Sequence, residues 1–348
     1  MSSKRPSLQS LLQSPGFNTF SRFLALLAVF GFFAILVADG RFYSPRNLEN
    51  ILRQSAVYAT AGLGMTLVII SAGIDLSVGS IIALAVVMVA WTLNLPVPGG
   101  SGELLIHQYP TGIPLLAVLA AVLTATLAGM LNGIAIVGLR LIPFIVTLGM
   151  MGIVRGVAKG IAKERDIYPE AETWIHHVMD PVLTGNSSGG FLLPLGVWFL
   201  IFGILISVFI LRFTRLGRHI YAIGSNEETA RLCGVPVQRT KVIVYALTGT
   251  FCGVAGIMQF SYLGGIGQPT TAMMYELFVI AAVIIGGASF RGGEGSILGT
   301  MIGALIITIL YMGGQQMGWP KWVQEMVIGV IIIAAVAIDQ YRHRKQTH

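Results

Sequence analysis

The chain has 348 residues, 55% of them hydrophobic and only 11% charged, with a mean hydropathy of +0.79. Soluble domains carry about 25% charged residues, so the composition is that of an integral membrane protein and all but excludes the soluble enzymes. The net charge of +7 reads as positive charge kept on cytoplasmic loops, not as an affinity for nucleic acid.

The first apolar run, residues 23–38, follows Lys4, Arg5 and Arg22. It is long enough to stay as a first span, and no small-residue cleavage site clearly follows it. Residues 1–19 are therefore expected to be a cytoplasmic segment. Hydrophobic runs predict ten spans: 20–38, 51–71, 80–93, 113–138, 141–158, 192–213, 241–262, 276–290, 296–313 and 322–339. A plain crossing helix needs about 20 residues, so 80–93 and the run near 277–290 are too short and read as short or re-entrant. The expected fold is an all-α membrane protein, with residues 1–348 forming one transmembrane domain.

Loop charges support this count. With both termini cytoplasmic, the inside receives 14 basic and 5 acidic residues, Asp75 among the acids, and the outside receives 8 basic and 10 acidic. That is the asymmetry expected of cytoplasmic loops. The inside loop 214–241 is basic, and so is the tail 340–348. The outside loop 159–190 has mixed charge. An echo of Ile69-Ile70 and Gly79-Ser80-Ile81 in Ile284-Ile285 and Gly295-Ser296-Ile297 suggests that spans 2–5 repeat as spans 7–10. Paired short, Gly-interrupted segments point to a transporter's midplane site.

Asp75 lies between two apolar runs, in the string Gly73-Ile-Asp-Leu-Ser-Val-Gly-Ser80. An acid beside membrane-grade helix is costly and marks a candidate site. Gly73 and Gly79 permit backbone geometry that other residues resist. Asp75 and Ser77 are placed to cap a short helix beginning at Ser80 by accepting its free N–H groups. That structural role is favoured over direct substrate contact.

In the loop 214–241, Asn226 is placed to cap a short helix with Glu227 and Glu228 in its first turn, Ala230 and Arg231 within it, and Gly234 and Pro236 as its stop. A short helix outside the membrane suits the docking of a soluble partner. Polar groups within spans, Asn132, Thr147, Gln259 and Ser261, with Gln268 and Glu276 near an outer mouth, are candidates for a polar path, although interhelical hydrogen bonding is the commoner role for each. The sequence has no Gly-x4-Gly-Lys-Ser/Thr loop, no His-Glu-x2-His and no Cys-x2-Cys, so ATP binding of that kind and catalysis have nothing to rest on. Cys233 and Cys252 make no disulfide framework. His176-His177 reads as solvated, and Asn186-Ser-Ser188 as a chance sequon.

The string from Gly73 to Ser80 resembles the signature of ribose-type permeases, the membrane subunits of bacterial ABC importers for simple sugars. The segment from Gly217 to Pro236 resembles their coupling helix. Leu141-Ile-Pro-Phe-Ile-Val-Thr-Leu-Gly149 with Arg155-Gly156 is similar to their fifth span, and Tyr275-Glu-Leu with residues 285–296 to their eighth. The likeness covers residues 42–339. It implies a permease in the bacterial inner membrane that pairs with a second permease copy, identical or not. A partner ATPase would carry ATP and Mg, this chain would bind no cofactor, and a periplasmic or lipid-anchored binding protein would deliver the sugar. Nucleoside and branched-chain amino-acid permeases share this architecture and are the nearest alternatives. An ion-coupled secondary transporter would need Asp75 as its coupling carboxylate.

Overall fold

The computed structural model describes residues 15–98, 102–182 and 193–344. Residues 1–14, the Asn186 sequon and the last four residues of the basic tail lie outside that set. Twelve helices carry the architecture: α1 Pro15–Leu36, α2 Pro45–Ile70, α3 Val78–Leu93, α4 Gly112–Leu139, α5 Pro143–Ile161, α6 Leu195–Phe213, α7 Arg215–Ser225, α8 Glu227–Leu232, α9 Val237–Tyr262, α10 Tyr275–Ile285, α11 Ile297–Gln316 and α12 Lys321–Arg344. Among the described residues, β structure is limited to two isolated bridges. The chain is an all-α membrane protein. Among the described residues, five helices, α4, α5, α6, α9 and α11, are long and apolar enough to cross a bilayer.

Local chemistry sets the helix ends. Ser44 Oγ accepts from Asn47 N ahead of Pro45, and Ser296 Oγ accepts from Gly299 N. Pro143 opens α5 at the position where a missing N–H costs nothing. Helices α2 and α9 stop in the same way. Ala72 N donates to Ile69 O and Gly73 N to Val68 O; Gly264 N donates to Ser261 O and Gly265 N to Phe260 O. Both are Schellman closures, which need a left-handed residue. α9 uses Gly264, whereas α2 holds Ala72 at φ 59°.

α2 sits at the centre, with 20 of its 26 residues buried. Shielded from lipid on every side, it tolerates Arg53, Gln54 and Thr60 within its length. It runs antiparallel to α9: Thr60 Oγ1 lies 3.6 Å from Met258 Sδ, Thr248 Oγ1 donates to Gly64 O, and Tyr245 OH donates to Ile74 O. Each of these two helices is followed by a non-helical connector and then a short helix. Packing is reciprocal: α3 and α4 pack on α9, and α10 and α11 pack on α2. One hydroxyl pair joins each long contact, Thr126 to Thr250 at 2.9 Å and Thr66 to Thr300 at 2.7 Å. Such bonds suit helices in lipid, where there is no hydrophobic drive between them.

This arrangement corrects the sequence echo. Residues 69–81 and 284–297 link α2 to α3 and α10 to α11, which are not counterparts in the packing. The counterparts are α2 with α9 and α3 with α10, read in opposite directions. The loops gather at two ends. Arg22, Ile70, α7, α8 and residues 286–295 share one end; Asn47, Asn94, Tyr168, His176 and residues 263–267 share the other. Helix α12 continues to Arg344, five residues beyond the expected span.

Candidate functional site

Within the connector 71–77, Ser71, Gly73, Asp75 and Ser77 are buried and Ala72 is exposed. Asp75 is fully buried, not a loop charge. Its Oδ1 accepts from Ser77 N at 2.9 Å and from Ser77 Oγ at 2.6 Å. Asn132 Nδ2 donates to Ser77 Oγ at 2.8 Å and stands 3.5 Å from both Asp75 oxygens. Tyr245 OH donates to Ile74 O at 3.2 Å, and Thr147 Oγ1 reaches the same carbonyl at 3.4 Å. The capping expectation is therefore altered. The helix starts at Val78, not Ser80, and Ser77 at its N-cap makes no side-chain cap bond, because its hydroxyl is spent on Asp75. Asp75 closes a turn one residue before the helix. Ser80 Oγ donates back to Ser77 O at 2.8 Å, and Gly73 packs against Val68 and the Tyr245 hydroxyl.

The first turns of α3 and α10 meet. A Cβ at Gly79 would overlap the Ala272 carbonyl and a Glu276 carboxylate oxygen, so only glycine allows this approach. Glu276 thus lies in the first turn of its own helix and beside the first turn of α3, where two positive dipole ends favour a carboxylate. It belongs to this junction and not to an outer mouth.

The second connector, residues 263–274, borders a cavity of about 350 Å³. Arg155 of α5 holds this connector, with Nη1 donating to Pro269 O at 3.0 Å and Thr271 O at 2.6 Å. Gln259 and Gln268 line the cavity. Asn132, Thr147 and Glu276 are absent from its wall: the first two brace the other connector and the third sits at the helix junction. Ser261 is a tie to the loop between α5 and α6, accepting from Met179 N and donating to His176 O. Sequence reasoning missed Gln54, Tyr275 and Gln324, which also line the cavity. For Gln54 and Gln324 the signal was polarity inside the spans 51–71 and 322–339; Tyr275, just before the span 276–290, was singled out only as part of the eighth-span motif.

At the far end, α7 and α8 form one unit. Thr214 Oγ1 caps α7 by accepting from Gly217 N. Asn226 Oδ1 caps α8 by accepting from Thr229 N at 2.8 Å. Gly234 at φ 81° closes α8, with Gly234 N donating to Arg231 O and Val235 N to Ala230 O. Ala230 is buried against Ile223 and Val237. Glu227 is tied inward, to Lys241 Nζ at 2.6 Å and Arg231 at 3.1 Å. Glu228 and Leu232 face outward. The unit reaches the end of α2 and the loop that follows α10: a Cβ at Gly224 would overlap the Ile70 carbonyl and Gly293 N, and Gly293 N itself donates to Ile70 O at 2.8 Å. Tyr221 OH donates to Gly295 O, and burial lifts its phenol above the ordinary range, so it stays a neutral donor.

Elsewhere, His177 pairs with Asp180 at 2.6 Å, and among the described residues no cluster of metal ligands forms. Cys233 is exposed and Cys252 buried, both free.

A polar cavity among apolar helices, with a helical unit seated on the end of α2 and on the loop that follows α10, is the make-up of a transport protein. Comparison with known proteins makes this specific. The model of the family described as "Branched-chain amino acid transport system / permease component" matches residues 47–336. The chain is 37% identical to the ribose import permease protein RbsC of Escherichia coli K12, over 91% of this chain and 92% of that one. It is 34% identical to the fructose import permease protein FrcC of Rhizobium meliloti, over 88% and 81%, and 30% identical to the xylose transport system permease protein XylH of Haemophilus influenzae, over 96% and 99%. No solved structure matches. The chain belongs to this permease family. It is a multi-pass inner-membrane permease subunit of an ABC importer, not an enzyme, and the ATPase is a separate subunit.

Proposed function

We propose that this chain conducts a simple sugar, a pentose, hexose or polyol, across the inner membrane, driven by ATP hydrolysed on a partner subunit. The single observation that carries the coupling is the α7–α8 unit, seated on Ile70 and Gly293 so that one docking surface touches the ends of both α2 and α10. A partner ATPase binding ATP and Mg closes, displaces this unit, and thereby shifts the two broken helices against each other. Ten spans, both termini cytoplasmic, an inverted repeat of spans 2–5 and 7–10, and a second permease copy complete the reading. A binding protein outside supplies selectivity.

The relatives named for ribose, fructose and xylose favour sugar over the branched-chain amino acids in the family's description. The cavity agrees, since neutral amides and phenols dominate its polar wall and suit hydroxyls better than a zwitterion. Against ion coupling, the Asp75 carboxylate has a structural use, accepting from Ser77 N and Ser77 Oγ in the turn before α3.

Proteoliposomes holding the permease, its ATPase and the binding protein are expected to take up sugar only with ATP. Uptake driven by a proton or sodium gradient without the ATPase would refute this reading.

A further inference from the structure

We propose that residues 162–180 form a strap that holds the second connector in a strained resting shape, and that release of this strap is what lets the connector move. The proposal rests on the permease reading above, in which the strap lies at the outer end of the bundle, opposite the α7–α8 unit.

The backbone points to these two segments. Among the described residues six that are not glycine have positive φ, and four of them fall here. Lys163 at 51° and Glu164 at 57° stand where α5 runs into the strap; Ala272 at 55° and Met274 at 70° stand where the connector runs into α10. The other two, Ala72 and Arg140, are single residues ending helices. Left-handed backbone is unfavourable for a residue with a Cβ, persists only where the surroundings impose it, and gathers at switch regions.

The strap supplies what imposes it. Ile167 N donates to Gly267 O at 3.0 Å, and Gly267 N donates to Ile167 O at 2.8 Å. The His176 ring lies on Gly265, where a Cβ would run into it, and against Phe260 of α9. Ser261 of α9 bonds Met179 N and His176 O. Asn94, at the C-cap of α3, donates to Tyr168 O at 2.9 Å and accepts from Glu170 N at 3.2 Å. One segment thus grips α3, α9 and the connector together. The Asn94 bonds are exposed, so water replaces them at little cost. Connector residues Gln268 and Thr271 line the cavity, and no residue of the strap does. A shift of the strap therefore reshapes the cavity wall without entering it.

The first measurement uses the wild-type permease with its ATPase and no sugar. Hydrogen exchange is followed on peptides covering 163–170 and 263–271, at rest and trapped with ATP and vanadate. Exchange of the Ile167 and Gly267 amides is expected to be about tenfold faster in the trapped complex, as local opening demands. Equal exchange in both states overturns the strap. The second measurement adds the binding protein in proteoliposomes. Asn94→Cys and Glu170→Cys, in a Cys233→Ser background, are joined by a short bifunctional thiosulfonate. Uptake of labelled D-ribose, D-xylose, L-arabinose or D-fructose is expected to fall about tenfold, the mark of a blocked gating motion. It is expected to return when reductant cleaves the link, and to survive a monofunctional reagent of similar length. Uptake indifferent to the link, or lost equally with the monofunctional reagent, overturns the strap and leaves the permease reading intact. Absence of ATP-driven uptake of all four sugars by the wild type overturns the sugar reading, and the exchange comparison still decides the strap.

Discussion

After α2, a seven-residue connector leads to α3; after α9, a twelve-residue connector leads to α10. The two long helices end in the same Schellman closure, and the two short helices meet at their first turns. Yet the first connector is tied by its own Asp75 and Ser77 and by Asn132 of α4, while the second is pinned by Arg155 of α5 and borders a cavity. Irregular backbone at membrane depth survives only if its polar groups are satisfied by protein or water. The shorter break ties its turn through Asp75 and Ser77, with Asn132 of α4 bonded to Ser77. The longer break leaves part of its polar surface facing a cavity. One plan thus yields a braced turn in one half and a cavity wall in the other.

The largest effect that tests this contrast is at Asp75. Asp75→Leu strips two bonds from Ser77 and leaves Ser77 N–H unpaired in a fully buried position, a loss of about 2–4 kcal/mol. Folded yield in detergent is expected to drop sharply. Asp75→Asn keeps an oxygen for both bonds and is expected to retain most ATP-driven uptake per folded protein. Full loss of uptake in a well-folded Asp75→Asn variant would mean that the charge itself works, and the braced turn would become an active region.

The next effect is smaller and falls on the link between the end of α2 and the partner. Gly224→Val places a branched side chain against the Ile70 carbonyl and Gly293. Packed interiors do not absorb such a clash. The α7–α8 unit is expected to tilt away from α2, with ATP-driven uptake lost while the spans remain inserted. Protease accessibility of the loop 214–241 checks the tilt. Unchanged uptake would show that the unit moves independently of the broken helices.

Much of this was legible in the sequence, for physical reasons. Apolar runs mark helices because lipid demands them, and the breaks at residues 71–77 and 263–274 fall where small and polar residues interrupt those runs. Asn226, Glu227 and Gly234 announced α8 because caps are local chemistry. What stayed hidden depends on tertiary placement. α7 was passed over as loop, although Gly217 and Gly224, seven apart, lie on its buried face. Gln54 and Gln324 look like ordinary span polarity until the fold gathers them from α2 and α12 around one cavity. Asn132 and Thr147, candidates for a polar path whose commoner role is bonding between segments, bond to the first connector; which neighbour they meet was hidden, since nothing in a single helix tells which one its polar face reaches.

The smallest effect separates two adjacent acids that the sequence treats alike. Glu227 is engaged by Lys241 and Arg231, so it stiffens α8. Glu228 is exposed and without such a partner among the ion pairs of the described residues, beside Leu232, which is 88% exposed. An outward charge next to an outward apolar side chain is the composition of a docking surface, where a rim charge governs association and an apolar group anchors it. Glu228→Lys is therefore expected to weaken ATPase co-purification several-fold, most clearly at low salt, because reversed rim charges act through screened electrostatics. Glu227→Gln removes ion pairs that are half exposed and worth at most about 1 kcal/mol, so it is expected to change co-purification little at any salt. Pull-down of the ATPase across a salt series with both variants decides the matter. If Glu227→Gln weakens binding more than Glu228→Lys does, the outward face of α8 is not the docking face, and the partner must seat on the side that Lys241 shares.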